Sequence, residues 1–346
     1  MKLLIVTQAV DQNDPILGFM HRWIEEFAKH AETTEVICLK EGVHALPPSV
    51  TVHSLGKERA SSFQLLAFSF KKVQYSFRFL SLVWRLRGKY DHVLVHMNPE
   101  YMMLAGLYWK LSGKRASLWY NHPQGGFRLR IAAFFANKVF YTSPYAASAR
   151  LKKSVQMPAG IDNEVFKLDS ASRDRHALYM QGRIMPSKRV HVMLEALRLL
   201  RSHIPTTLTL VGPEDREYGT FLREKFRDLI DAQAVLFKGS VPNRETPALY
   251  RAAGVSVNLA ASGHFDKSVL ESMACGTPVI LSSRAFTGLV PSEWVVPENN
   301  PEALALALQK IIELPASAFN ALTKHERVVA EKHSLSALAL SLMKAL

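Results

Sequence analysis

Short apolar or β-branched runs alternate with longer helical patterns twice along this chain, and that rhythm restricts the fold more than any other feature. In the first half the runs fall at 3–6, 35–39, 50–53, 92–96, 116–119, 138–141 and 154–156. Helical periodicity lies between them at 17–30, 63–87, 101–111, 129–136 and 144–151. The pattern lapses at Pro158-Ala-Gly-Ile-Asp-Asn-Glu-Val-Phe166 and in the polar stretch 167–175. A second alternation follows, with strands at 177–180, 207–211, 234–238, 255–259 and 278–281 and helices at 188–200, 219–230, 245–252 and around Glu271. Such alternation is how a parallel sheet flanked by helices is written in sequence.

The expected fold is therefore α/β: two Rossmann-like, doubly wound domains facing a central cleft, 1–165 and 166–333. A chain of 346 residues exceeds what one core usually holds, which agrees with two domains. The tail is helical by pattern from Pro301, with a break and cap at His333-Ser334, and its last helix, 334–346, is expected to pack back on the first domain.

Composition narrows the class. Cys38 and Cys275 are the only cysteines, far apart and both in apolar runs, so a disulfide framework is not expected and a cytoplasmic setting fits. The opening run, Met1-Lys-Leu-Leu-Ile-Val-Thr7, gives way to Gln8 and then Asp11, Asn13 and Asp14, and reads as a first strand rather than a signal peptide. No stretch reaches the roughly 20 apolar residues that a spanning helix needs.

With 43 basic and 30 acidic residues the formal charge is +13, which implies an anionic partner. From Ala60 to Tyr90 there is no acidic residue, while Lys71, Lys72, Arg78, Arg85, Arg87 and Lys89 are interleaved with aromatic and aliphatic side chains. Such a segment suits either a core helix with a solvated basic face or an anionic membrane surface, on the inner face of the cell membrane. Nucleic acid is not an expected partner, because no zinc-finger, helix-turn-helix or RNA-binding signature accompanies the charge.

Three segments carry chemistry. Gly182-Arg183-Ile-Met-Pro-Ser-Lys188 follows the first strand of the second alternation, where glycine permits a tight turn and two cations flank the loop. Each charge-assisted hydrogen bond from them to a diphosphate is worth roughly 1.5–3 kcal/mol. Asp266-Lys267-Ser-Val269-Leu270-Glu271 opens a helix whose free N–H groups favour an anion, with Gly276 and Pro278 ending it. The Gly239-Ser-Val241-Pro242 turn also follows a strand. Ligands of open α/β sheets sit outside the carboxyl ends of strands, so the three converge on one rim. No Gly-x-Gly-x-x-Gly fingerprint, Walker A sequence or Asp-x-Asp metal motif occurs.

Four motifs in order, Pro158-Ala-Gly160-Ile-Asp162 through Phe166, Gly182-Arg183 with Lys188, Leu210-Val-Gly212, and Glu271-Ser-Met-Ala-Cys-Gly276-Thr-Pro278, make this sequence resemble the retaining glycosyltransferases of family 4, also called glycosyl transferases group 1. The resemblance is firm from Leu151 to about Ser283 and loose before it. It implies the GT-B fold and transfer of a sugar from a nucleotide diphosphate sugar donor to a hydroxyl acceptor with retained configuration, without metal or other cofactor. Arg183 and Lys188 would bind the diphosphate and serve catalysis. Glu271 would hold the ribose hydroxyls, backbone near Val241 and Pro242 the base, and the N–H groups of Val269 and Leu270 would approach the phosphates. Gly18 would let its loop come close to the donor phosphate.

His122, after Trp119 and before Gly125-Gly126, would stand beside the reacting sugar, where a neutral imidazole positions a hydroxyl or shares a proton. His96 ends another strand, with core packing as its competing role. One departure stands out. The family commonly has a second glutamate eight residues before the position of Glu271, and here Gly263 occupies it. Asp266 is the nearby carboxylate that could replace it, and Lys267 a third cation for the diphosphate. The basic 60–90 segment points to a lipid-linked or envelope-glycan acceptor. The competing readings are a catalytically poor GT-B nucleotide-binding or scaffold protein and a basic nucleic-acid or membrane adaptor.

Overall fold

The computed structural model describes residues 1–59, 68–169 and 173–346. They divide into two compact units, 1–160 with 335–346 and 161–334. In the first, strands β1 (Lys2–Val10), β2 (Thr33–Glu41), β3 (Val50–Ser54), β4 (His92–His96), β5 (Arg115–Trp119), β6 (Lys138–Tyr141) and β7 (Ser154–Gln156) form one sheet. Its order is β3-β2-β1-β4-β5-β6-β7, with every neighbouring pair parallel. Helices α1 (Phe19–Ala28), α2 (Phe68–Arg85), α3 (Pro99–Leu111) and α4 (Phe127–Phe135) connect them.

Period-2 alternation in the strands sorts this unit's apolar side chains to two faces. Leu4 and Val6 of β1 and Val93 and Val95 of β4 join a core with Phe79 and Val83 of α2, Met102 and Trp109 of α3, and Leu129 and Ala132 of α4. Leu3, Ile5 and Leu94 point the other way, into a core with Trp23, Ile24 and Phe27 of α1. That second core is closed by the C-terminal helix α12 (Leu335–Ala345). Its Leu335, Leu338, Ala339 and Leu342 repeat at helical spacing and are buried among them, each leucine contributing about 2 kcal/mol. Gly160 has a packing reason to be glycine: its φ is +71°, and a Cβ would stand 2.8 Å from the Trp23 ring. The Trp23 indole N–H donates to the Gly160 carbonyl at 2.8 Å.

The second unit repeats the plan. Strands β8 (Asp174–Gln181), β9 (Thr207–Val211), β10 (Val235–Gly239), β11 (Ala253–Asn258) and β12 (Val279–Leu281) lie in the order β10-β9-β8-β11-β12, all parallel. Helices α5 (Val190–Arg201), α6 (Arg216–Lys225), α7 (Arg227–Asp231), α8 (Thr246–Ala252), α9 (Lys267–Ala274), α10 (Pro301–Glu313) and α11 (Ala316–Lys332) complete it. α5 packs on α10, and α9 on α8 and α11. In each sheet the connections change direction beside the first strand of the unit, between β1 and β4 and between β8 and β11. That is where doubly wound folds place ligands.

Three expectations need correction or limits. The helix expected at 144–151 is only a 3-10 turn, Ala147–Arg150, because extended Ala146 and the Ser143 hydroxyl, accepting from the Tyr145 N–H at 3.2 Å, hold the preceding residues in a turn. The helix expected at 219–230 is two, broken at Phe226 with φ −117° and ψ 32°. Of the basic, aromatic stretch, residues 60–67 lie outside the described ones.

Candidate active site

In the second unit the chemistry gathers after β8 and β11. Beyond β8, Gly182 turns with φ +147° and donates its N–H to the Val211 carbonyl at 2.9 Å. Gly212, φ +143°, lies against it so closely that a Cβ would come within 2.6 Å of the Gly182 carbonyl carbon. Two further backbone bonds, Ile184 N–H to Pro213 and Asp215 N–H to Ile184, both 2.9 Å, fasten the 182–188 loop to the end of β9. Pro186–Lys188 then forms a 3-10 turn.

The Lys188 ammonium meets the Asp266 carboxylate 78 residues away, and the Asn258 amide donates to the same oxygen at 3.1 Å. Burial, the largest single influence, would raise the Asp266 pKa, but Lys188, the Asn258 amide and His264 together outweigh it and hold the carboxyl below its usual range. Asp266 is also the N-cap of α9, yet its side chain makes no capping bond, being turned to Lys188 instead. Arg183 is exposed, and among the described residues it has no hydrogen-bond or ion-pair partner. It is the cation of this loop that can meet an anion without first leaving a carboxylate.

One residue on, Lys267 is half-buried, and burial pulls its ammonium down to about 7 against the attraction of Glu271. A third cation at this corner is therefore only partly charged at neutral pH. Glu271, one turn along α9 and 5% exposed, is pushed up to about 7, again by burial, with Lys267 opposing. Its oxygens accept two long hydrogen bonds, from the Asn243 amide at 3.5 Å and the Tyr250 hydroxyl at 3.4 Å. Asn243 belongs to the turn that Val241 and Pro242 enter, so the loop after β10 and Glu271 are brought together. The Val269 N–H donates to the Asp266 carbonyl at 3.2 Å, closing the first turn of α9, and Val269 and Leu270 are buried.

Gly263 has φ +93°, a conformation that L side chains rarely adopt. The loop around it is held by Glu298, which accepts from the Ser262 N–H at 2.7 Å while binding the Arg189 guanidinium. Arg189, itself left-handed at φ 51°, donates to the Leu259 carbonyl at 2.8 Å and to Asn299 at 2.9 Å. A glutamate at 263 therefore has no relaxed place in this loop. Asp266, the carboxylate three residues further on, is engaged by Lys188.

In the first unit Gly18 is buried at the start of α1 with φ −55°, so its conformation does not demand glycine. Asp14 shapes the preceding turn, its carboxylate accepting from Ile16 and Leu17 at 2.9 and 2.8 Å. His122 follows β5. Its Nδ1 lies 3.0 Å from the Gln124 N–H and 3.2 Å from the Gln124 carbonyl, a turn that leaves Nε2 as the ring's other hydrogen-bonding nitrogen, and its carbonyl accepts from Ala147 at 2.9 Å. His96 is 4% exposed and packs edge-on against Trp23 at 5.8 Å and Phe19 at 6.0 Å, a core position.

Asn258, Asn243, Tyr250 and Arg189 escaped the sequence reading. Only Asn258 carried a signal, a polar residue closing the buried run of β11.

Two doubly wound units, each a parallel sheet flanked by helices, have the architecture of the GT-B class of α/β folds. Residues 175–314, within the second unit, match the family model described as Glycosyl transferases group 1. A GDP-mannose-dependent alpha-(1-6)-phosphatidylinositol monomannoside mannosyltransferase of Mycolicibacterium smegmatis is 28% identical over 161 residues, 40% of each chain. A D-inositol 3-phosphate glycosyltransferase of Acidothermus cellulolyticus is 30% identical over 141 residues, 36% of this chain and 32% of that protein. These matches span about two fifths or less of the relatives' length. Among solved structures, Anabaena HepE in complex with UDP and glucose superposes with a TM-score of 0.76 at 17% identity, covering 99% of this chain and 98% of that one. Sucrose-phosphate synthase from Thermosynechococcus elongatus gives 0.77 at 19%, with the same coverage. The fold is thus shared along the whole chain.

Proposed function

We propose that this protein is a retaining, metal-independent glycosyltransferase that moves a hexosyl group from a nucleoside diphosphate sugar to an acceptor hydroxyl. The observation that carries the reading is the joining of Lys188, Asp266, Lys267 and Glu271 at the strand ends of the unit that the group 1 model matches. Arg183 and Lys188 neutralise the diphosphate as it leaves, a diphosphate displacing Asp266 from Lys188. Glu271 accepts from the ribose hydroxyls, and backbone at Val241 and Pro242 meets the base. A donor phosphate oxygen takes the acceptor proton as the new bond forms on the face the diphosphate leaves. Electrostatic stabilisation of that leaving group is the main contribution of the protein. Gly18 and His122 serve the acceptor side, His122 hydrogen-bonding a sugar hydroxyl through Nε2.

The relative named for mannosyl transfer and the neighbour crystallised with UDP and glucose support a nucleoside diphosphate hexose as donor. For the acceptor we favour a lipid-linked or envelope saccharide. Among the described residues no helix is long and apolar enough to cross a membrane. Yet α2 exposes Val73, Phe77 and Trp84, α3 Leu107 and Leu111, and α4 Phe127 and Phe134. Arg87 lies over Trp84 at 4.6 Å and Lys110 over Phe134 at 4.7 Å, so cations are interleaved with the apolar groups. Such a face suits peripheral contact with an anionic bilayer on its cytoplasmic side.

Proton NMR of the purified protein with a panel of nucleoside diphosphate hexoses, in the presence of EDTA, tests the reaction. An α-linked donor giving an α-linked product or α-hexose is the expected result. Inverted product overturns retention, and nucleotide binding with neither transfer nor hydrolysis favours a scaffold protein. Sedimentation with phosphatidylglycerol vesicles, lost on Phe77→Ser with Trp84→Ser, tests the membrane face; equal sedimentation of the double variant removes it.

A further inference from the structure

The Lys188 ammonium and the Asp266 carboxylate pair where the 182–188 loop faces the entry of α9. Both backbones are fixed. Lys188 closes a 3-10 turn, its N–H donating to the Met185 carbonyl at 2.9 Å. Asp266 follows Phe265, whose ring stacks on Phe286 at 4.3 Å, and His264, whose carbonyl accepts from the Ser283 hydroxyl at 2.6 Å. Opening the pair therefore takes only the rotation of two side chains, 18% and 22% exposed and so within reach of a ligand arriving from solvent.

Asp266 has other partners within reach. With φ −74° and ψ 130° it has the extended backbone of an N-cap residue, yet its side chain caps nothing while it faces Lys188. The Ser268 N–H, second in the helix, is a donor that an N-cap carboxylate ordinarily takes. The Asn258 amide, which donates to the carboxylate at 3.1 Å and to the Ser268 hydroxyl at 3.2 Å, lies between the two positions. Because the carboxyl is held below its usual range, at neutral pH it is an anion that an incoming phosphate must replace.

We propose that Asp266 is an internal competitor for the diphosphate, giving up Lys188 when the donor binds and taking it back to expel the nucleoside diphosphate after transfer. Its role in release rests on the transfer reading, while its competition with a diphosphate does not. Arg183, exposed and without an ion-pair partner among the described residues, meets the incoming phosphates first. The diphosphate then replaces Asp266 at Lys188, one ion pair for another. When the bond from the sugar carbon to the diphosphate oxygen breaks, its electron pair stays on the diphosphate. Once the acceptor proton has passed on to water, the product carries one more negative charge than the donor. Two cations held permanently open would grip that product. A carboxylate beside them repels it and competes for one of the two.

Calorimetric titration of the wild type, Asp266→Asn and Asp266→Ser with UDP, GDP, their nucleosides and inorganic pyrophosphate, together with steady-state donor turnover by the three proteins, tests it. Both replacements can still cap α9. They should bind pyrophosphate and UDP or GDP about tenfold tighter than the wild type, as a freed charge-assisted contact allows, with nucleoside affinity unchanged. They should also turn over with a lower kcat and stronger inhibition by the product nucleotide. Diphosphate affinity that stays the same or falls in both variants overturns the inference. Weaker binding of nucleoside and diphosphate together would make Asp266 a structural residue, and a loss confined to the nucleotide sugar would give it to the sugar hydroxyls. Tighter binding at wild-type kcat overturns the role in release. Tighter pyrophosphate binding by the variants of a protein that binds no nucleotide would instead overturn the transfer reading and leave the competitor standing.

Discussion

Lys267 and Glu271 are one helical turn apart, and burial draws their ionisations together near neutral pH, one from above and one from below. The consequence for stability has a definite sign. Between about 4.5 and about 7 the unfolded chain has ionised Glu271 while the folded one keeps it protonated, so folding takes up a proton and stability falls as pH rises through that window. Between about 7 and 10.5 the unfolded chain holds a proton on Lys267 that the folded one has released, so stability rises again. Glu271→Gln should make the falling limb shallower, the remainder coming from Glu326, whose carboxyl burial also pushes well above its usual range, and keep the rising one. Thermal unfolding at a series of pH values measures this, and an unaltered falling limb in the variant would assign it to another group. If Glu271 must be ionised to accept from a ribose, nucleotide affinity should also climb through neutral pH in the wild type and stay flat in the variant.

At the scale of elements, what fixes the site is how loops are tied to strand ends. The 182–188 loop can lie against β9 only because residue 212 lacks a Cβ. Gly212→Ala should cost about 2 kcal/mol, lowering the melting temperature of the unit by roughly 4–8 °C, and should weaken nucleotide binding because Arg183 and Lys188 ride on that loop. A melting temperature within roughly 1 °C of the wild type would show that the loop relaxes freely.

Elements were largely legible in the sequence because β-branched runs and helical periodicity are local signals, and both sheets form from the strands so read. Segment 144–151 misled because its apolar spacing suits a helix while Ser143 and Pro144 start a turn. The site was legible in its residue types but not in its pairings. That Lys188 would be held by Asp266, or that Tyr250 and Asn243 would face Glu271, depends on contacts spanning 78, 21 and 28 residues, which no local pattern encodes. The absence of a glutamate at 263 was visible. Its backbone reason, a left-handed residue in a loop held by Arg189 and Glu298, was not.

At the scale of the molecule, the same doubly wound plan occurs twice with different chemistry in each unit. The second unit gathers cations and a carboxylate suited to a diphosphate and a ribose, and the first carries an apolar, basic helical face. Helix α12 returns the chain to close the core of the first. The central claim is that the second unit binds a nucleoside diphosphate sugar through the 182–188 loop. Its most direct test is calorimetric titration of the wild type, Arg183→Ala and Lys188→Ala with UDP-glucose and GDP-mannose. The account predicts saturable binding of at least one of them, weakened about tenfold or more by each substitution, in line with the loss of one charge-assisted contact. Wild-type affinity in both variants, or no binding of either nucleotide sugar, would contradict it.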